Sequence, residues 1–375
     1  MDKDETIVVG MSGGVDSSVV ALLLKQQGYD VIGLFMNNWN ETDANGACTA
    51  ADDFADVKRV AGALKIPYYS VDYSKEYMDN VFTQFLAEYK AGRTPNPDVL
   101  CNREIKFGPF LNKAIALGAD KVATGHYANV EDDGGLFYLK KAADQNKDQT
   151  YFLNQLNQHQ LSMAMFPIGN LTKPQIRKIA EENNLTTAKK KDSTGICFIG
   201  ERNFKKFLST YLPAQKGDII DVRSGKVVGN HDGLMYYTLG QRRGLGIGGG
   251  HGVTGESWFV VGKDLDKNQL LVSEGEGEEL LSSGLVSGKF NWIPREPDLK
   301  QFDCFAKFRY RQPDQAVSVT INKDGTITCN FKQKQRAITP GQYVVLYGSK
   351  TGAAKTIEEA EYCLGGATIE VVLKD

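Results

Sequence analysis

The chain contains no C-x-x-C pair, and none of its six cysteines stands with histidine at the spacing of a metal-ligand set. That pattern argues against a structural zinc. Cys48, Cys101, Cys197, Cys304, Cys329 and Cys363 are spread along 375 residues, and the default reading of each is a small buried hydrophobe. Long apolar runs are missing as well: VVALLL at 19–24 falls far short of the ~20 residues of a membrane helix. No charged, apolar and small-residue leader opens the chain, so it reads as cytoplasmic, with no membrane partner. Net charge is only −2, which argues against a protein that coats nucleic acid nonspecifically. No internal repeat is evident. What remains, 41% hydrophobic and 24% charged residues, is a globular composition long enough for two or three domains.

The charge is uneven. Residues 285–355 carry twelve Lys or Arg against five Asp or Glu, a local +7 that leaves −9 for the rest of the chain. A basic segment on an acidic body suggests a localised polyanion contact. Segment order divides the chain further. From residue 5 to about 126, strand-like runs (TIVVGM, VIGLFM, YYSVDY, KVATGHYA) alternate with helix-like ones, which implies a parallel sheet with ligands at the carboxyl ends of its strands. TKPQIRKIAEENNL reads as a further helix, N-capped by Thr172 with Pro174 in its first turn. From about 206, short β-prone runs take over (GDIIDV, MYYTLGQ, WFVVGKD), then SEGEGEELLSSG reads as a linker. CFAKFRYR, AVSVTI, TITCNF and QYVVLYG follow at the spacing of a small antiparallel barrel or sandwich. The expected domains are 1–205, a central β-rich 206–280, and a C-terminal barrel at 281–375; the class is α/β.

A Walker lysine is also missing, since no G-x-x-x-x-G-K-[ST] occurs, and γ-phosphate transfer is disfavoured. GLGIGG at 244–249 satisfies G-x-G-x-x-G, but strand-like residues rather than a helix follow it, so the dinucleotide reading fails. The informative glycines are in MSGGVDSSVV, residues 11–20, between a strand and a helix. Glycine lets backbone N–H groups approach an anion, and Asp16 or Ser17 can cap the helix, whose N-terminus favours a phosphate. Any strand-to-helix turn likes the same residues. SGGVDSS nevertheless resembles the pyrophosphate loop of the PP-loop ATP pyrophosphatases, which attack ATP at the α-phosphate.

Two cysteines have suggestive settings. Cys101, in TPNPDVLCNREIKFG, is expected near a helix N-terminus with Arg103 and Lys106 following; Cys197, in KKKDSTGICFIGERNF, has three lysines before it and Arg202 after it. Positive surroundings favour a thiolate. Free cysteines are mostly inert core residues, but two such settings beside one nucleotide loop make a dithiol mechanism plausible.

GMSGGVDSS, PNPDVLCNREIKF, ATGHYA, KDQTYFL, DSTGICFIG and TLGQRRGLGIGG, with FRYRQ and PGQYVVLY beyond them, together resemble the tRNA-specific 2-thiouridylase family (MnmA/TrmU) over nearly the whole chain. The resemblance implies a PP-loop, adenine nucleotide hydrolase-like first domain and replacement of O2 of the tRNA wobble uridine by sulfur. It implies ATP, with Mg2+, on Gly10, Met11, Ser12, Gly13, Gly14, Val15, Asp16 and Ser17, with Met36 and Gly125 near the adenosine. Asn96, Pro97 and Asp98 would meet the flipped base, Asp98 moving the proton. Cys197 would carry a persulfide loaded by a cysteine desulfurase or sulfur-relay protein, and a Cys101–Cys197 disulfide would result from transfer. Contacts to tRNA would fall to His126, Lys147, Asp148, Gln149, Arg309, Tyr310 and Gln342. Period two in FAKFRYR sets Lys307, Arg309 and Arg311 on one face, a tRNA-facing or merely solvated one. His126 reads equally well as a satisfied polar residue at a strand end. The competing readings are an amidotransferase-type PP-loop synthetase, which needs neither cysteine, a non-catalytic nucleotide-binding module, and a thiolating enzyme of another tRNA position, which would carry C-x-x-C motifs.

Overall fold

The computed structural model describes residues 4–39, 49–192, 204–247 and 255–374. Its first sheet is parallel and has five strands, in the order β3-β2-β1-β4-β7. These are β1 (Thr6–Met11), β2 (Asp30–Asn37), β3 (Tyr68–Asp72), β4 (Lys121–Ala123) and β7 (Ala164–Met165). The hydrophobic alternation of TIVVGM explains why it lies centrally. Ile7, Val9 and Met11 face α1 (Val15–Gln26), α2 (Thr49–Leu64) and a later helix, while Val8 meets Phe110, Leu111 and Ala114 of α3 (Pro109–Ala116). The later helix is α4 (Lys173–Glu182), opened by the expected Thr172 cap, which forms a capping box with Gln175.

The hairpin β5 (Asn129–Asp133) and β6 (Leu136–Lys140) leaves this sheet altogether. Gly134 and Gly135 turn it with positive φ at both central positions, +64° and +87°, the demand of a type I′ turn. Leu139 and Lys140 then pair with Cys363 and Tyr362 at the far end of the chain.

A four-stranded mixed sheet follows: β8 (Gly217–Asp221), β9 (Val227–His231), β10 (Trp258–Asp264) and β11 (Gln269–Glu274), in the order β10-β11-β8-β9. The last unit is a closed antiparallel barrel. It runs β12 (Leu281–Ser287), β16 (Ile327–Arg336), β15 (Gln315–Ile321), β14 (Gln301–Lys307), β17 (Tyr343–Gly348) and β18 (Tyr362–Leu373), and β18 returns to β12. A short β13 (Asn291–Trp292) joins β18. Among the described residues, no helix is long and apolar enough to cross a membrane.

Three local expectations change. MYYTLGQ is a 3-10 turn over Leu234–Tyr236, not a strand, and the supposed linker SEGEGEELLSSG begins inside β11 and ends, over residues 281–284, inside β12. The third concerns FAKFRYR: β14 ends at Lys307, so period two does not carry on to Arg309 and Arg311. Lys307 points into the protein, 7% exposed, against Asp148 and Asp314 at 3.9 and 3.7 Å, and only Arg309 and Arg311 reach the surface. Partner carboxylates inside offset the cost of burying the ammonium, which a face-counting rule cannot see.

Candidate active site

The loop Ser12–Gly14 leaves the carboxyl end of β1, beside the ends of β2 and β4. Gly13 has φ +74°, and a Cβ there would lie 2.5 Å from the Asp53 carbonyl oxygen, so α2 seats directly on the loop. Gly125, just past β4, lets the chain pass the start of α1: its Cβ would stand 3.1 Å from the Asp16 Cβ and the Ser17 nitrogen. Gly14, not Asp16 or Ser17, is the N-cap of α1. Those two side chains are otherwise engaged. The Ser17 hydroxyl donates to the Gly14 carbonyl and accepts from the Ser12 N–H, both at 3.2 Å, holding the loop curled. Gly13→Ala is expected to impair ATP-dependent turnover severely and to cost about 1–2 kcal/mol from the left-handed backbone alone. Nucleotide binding and thermal unfolding of that variant check it.

Asp16 sits in a tight charge network. Its carboxylate accepts from the Lys173 ammonium at 2.7 and 2.8 Å and from the Tyr127 hydroxyl at 2.9 Å. Lys173 also pairs with Asp192 at 2.9 Å, and Arg177 and Lys147 meet the same carboxylate at 2.7 and 2.9 Å. Burial pushes Asp192 up, but the hydrogen bonds from Lys147 and Lys173 outweigh it and leave the group at about 2. Lys190, one of the three lysines expected to make the Cys197 segment electropositive, is held by Asp53 and Asp56 at 2.7 and 2.6 Å. Cys197, like Cys48, lies outside the described residues.

Asn96, Pro97 and Asp98 open a short helix, Pro97–Cys101, with the Asn96 side chain accepting the Val99 N–H as a cap. Cys101 is thus the fifth helical residue, not at the N-terminus itself. It is 1% exposed, packed with Tyr77, Phe82, Phe85 and Leu100, and the Asn38 amide reaches its sulfur at 3.8 Å. Arg103 turns away to Glu104 and Gln155, because residues two apart on a helix do not share a face. Met36 packs beside both this cluster and the sheet. The barrel fixes the approach to the helix: Gln342 donates to the Thr94 and Pro95 carbonyls at 2.9 and 3.2 Å, and Arg93 forks onto Glu370 at 2.5 and 3.0 Å.

Three family models match the chain: a tRNA methyl transferase HUP domain over 5–201, a tRNA methyl transferase PRC-barrel domain over 205–274, and an aminomethyltransferase beta-barrel domain over 282–369. A protein of Alkaliphilus oremlandii named tRNA-specific 2-thiouridylase MnmA is 60% identical over 373 residues, covering 99% of both chains. Proteins of the same name from Halalkalibacterium halodurans and Enterococcus faecalis are 60% and 57% identical, over 98% and 100% of this chain and 95% and 98% of theirs. The chain belongs to the MnmA family. The methyl transferase wording of two of the matched descriptions is not shared by these relatives, whose likeness runs end to end.

Within this MnmA-family chain, most of the residues expected to touch tRNA also brace the protein. His126 is 8% exposed between Phe107 and Phe166, with the Thr124 hydroxyl 2.7 Å from Nδ1. Gln149 binds the backbone of Tyr127 twice and so supports the Tyr127 bond to Asp16. Lys147 is paired with Asp192. Asp148 is 2% exposed and faces inward, accepting from the Ala142 N–H and the Thr150 hydroxyl. Tyr310 packs on Phe152 and reaches the Lys147 carbonyl. Arg309 lies exposed over much of its length while its guanidinium bonds the Leu239 and Ala337 carbonyls. Tyr127, Lys173 and Asn38 escaped sequence reasoning because their partners Asp16 and Cys101 are 63 or more positions away, and Asp192 because Lys147 and Lys173 reach it from outside its own segment. Only ATGHYA, already singled out, offered a signal for Tyr127.

Burial, helped by the Lys106 charge, holds His126 well below its usual range. The unfolded chain therefore binds a proton below pH ~6.5 that the folded chain does not, so stability falls as pH drops through that window and is flat above it. His126→Gln is expected to flatten this acid limb between pH ~6.5 and 5 in denaturant titrations.

Proposed function

We propose that this chain makes 2-thiouridine at the wobble position of tRNA, using ATP and a protein persulfide. The observation that carries this reading is the full-length likeness, near 60%, to proteins named 2-thiouridylases. The site chemistry supports it. A uridine O2 is a poor leaving group, so it attacks the α-phosphorus of ATP, the bond to the bridging oxygen breaks, and pyrophosphate leaves with the electron pair. Residues 10–17 bind the nucleotide, with Met36 and Gly125 beside the adenosine. Asn96 and Pro97 meet the flipped base, and Asp98 moves the proton. Sulfur then attacks C2 and AMP departs. It comes either from the terminal sulfur of a Cys197 persulfide, whose bond to the Cys197 sulfur then breaks as Cys101 attacks that sulfur and the thiouridine leaves, or as hydrosulfide released when Cys101 attacks the persulfide; either route leaves a Cys101–Cys197 disulfide.

Among the described residues, no group of three His, Cys, Asp or Glu side chains could hold a metal. Mg2+ would arrive on the ATP phosphates, its usual mode. The persulfide donor, a cysteine desulfurase or relay protein, and a cytoplasmic setting belong to the same reading. Arg311, exposed beyond the end of β14, and the surface of Arg309 would supply salt-sensitive contacts to the tRNA backbone. Incubation with tRNA, ATP and a persulfide source should give 2-thiouridine by nucleoside mass spectrometry, with AMP and pyrophosphate in equal amounts. ADP and phosphate as products would sink the reading.

A further inference from the structure

The loop Ser12–Gly14 has no cationic side chain of its own, since the Walker lysine is missing, and its Ser12 and Gly14 N–H groups donate to the Ser17 and Ser12 hydroxyls. Pyrophosphate leaves with several negative charges, and main-chain dipoles alone balance them poorly. The structure supplies a cation from 157 positions away, Lys173, whose ammonium stands on Asp16 two residues past the loop.

Two independent features aim at this spot. α1 and α4 pack side by side through Val20, Leu24, Ile176 and Ala180, within one core. Their C-terminal ends meet where Gln26 donates to Asn183 at 3.2 Å, and their N-terminal ends meet at Asp16 and Lys173. The helices therefore run parallel; the α1 end follows the loop directly, while the α4 end is capped, its Lys173 N–H donating to the Asp144 carboxylate at 3.0 Å, so that α4 serves to hold the Lys173 side chain in place. Lys173 is itself only 9% exposed, kept between Asp16, Asp192 and the Tyr127 ring. A buried ammonium shared by two carboxylates can exchange one of them for a phosphate oxygen while the other keeps it in place.

We propose that Lys173 is the lysine that binds the pyrophosphate part of ATP and stabilises it as it leaves, with Asp192 retaining the ammonium as Asp16 gives it up. This rests on the proposed cleavage of ATP to AMP and pyrophosphate. No proton or bond to Lys173 changes: the ammonium exchanges one anionic partner for another as the bond between the α-phosphorus and the bridging oxygen breaks.

Calorimetric titration of the full chain with inorganic pyrophosphate and, separately, with AMP tests this without tRNA, so its outcome is independent of whether the chain thiolates. Lys173→Met is expected to weaken pyrophosphate binding by about ten- to a hundredfold, the worth of one charge-assisted hydrogen bond, and AMP binding by less than twofold. Lys173→Arg should restore much of the loss. Equal weakening of both ligands would show that Lys173 merely orders the loop through Asp16 and would overturn the proposal, as would unchanged pyrophosphate affinity. If Lys173→Met fails to fold, Lys173→Gln, which removes the charge but keeps an amide donor for Asp16, must show the same selective loss.

Discussion

Cys101→Ser is expected to lower 2-thiouridine formation by roughly three orders of magnitude or more, the scale of removing a nucleophile that works as part of a unit. Its fold should survive. Serine is close to cysteine in shape, and the site offers the Asn38 amide as a donor to the new hydroxyl, in place of the sulfur it now meets at 3.8 Å. The loss should be chemical and specific: persulfide supplied by a desulfurase should still load onto Cys197 in this variant, whereas Cys197→Ser should not load at all. Cys304, Cys329 and Cys363 are inert by the same test, because burial pushes their thiols up, away from the reactive thiolate. Nucleoside mass spectrometry, with intact-protein masses to locate the extra sulfur, reads every arm. Wild-type thiolation by both Cys101→Ser and Cys197→Ser would end the paired-cysteine mechanism and leave the nucleotide site standing.

The second large effect lies far from the chemistry. Lys141→Ala should destabilise the protein by up to about 3–5 kcal/mol, because it removes the 2.5 Å partner of the buried Asp314 carboxylate and leaves it to Lys307 at 3.7 Å. Lys141 meets Asp314 at 2.5 Å, with side-chain exposures of 8% and 6%, and lies 4.4 Å from the centre of the Tyr347 ring. Lys307 and Asp148 complete the cluster, which ties residues 141–150 to the barrel. The paired change Lys141→Met with Asp314→Leu should cost far less, since apolar groups of similar size need no partner. Denaturant midpoints with unchanged slopes measure the difference. A single variant no worse than the double would mean that the ion pair is not desolvated in solution.

These outcomes bear on how much was legible beforehand. The parallel sheet could be read from TIVVGM, VIGLFM and YYSVDY because strand and helix periods are local, and Gly13 could be picked out because a strand-to-helix anion loop needs a residue free of Cβ. The hairpin 129–140 carried its own turn signal in Gly134–Gly135, but its partner strand is more than 220 positions away. No local pattern names such a partner.

The sequence by itself determined the α/β class, the glycine turn after β1 and the Thr172 helix cap, all properties of short stretches whose backbone demands are met within a turn or two. Tertiary structure alone decided where charge ends up. It turned Lys307 and Asp148 inward, and it set Lys173 on Asp16. The reason is physical: an ion pair's worth depends on distance and on exclusion of water, and both are set only when segments remote in sequence pack together.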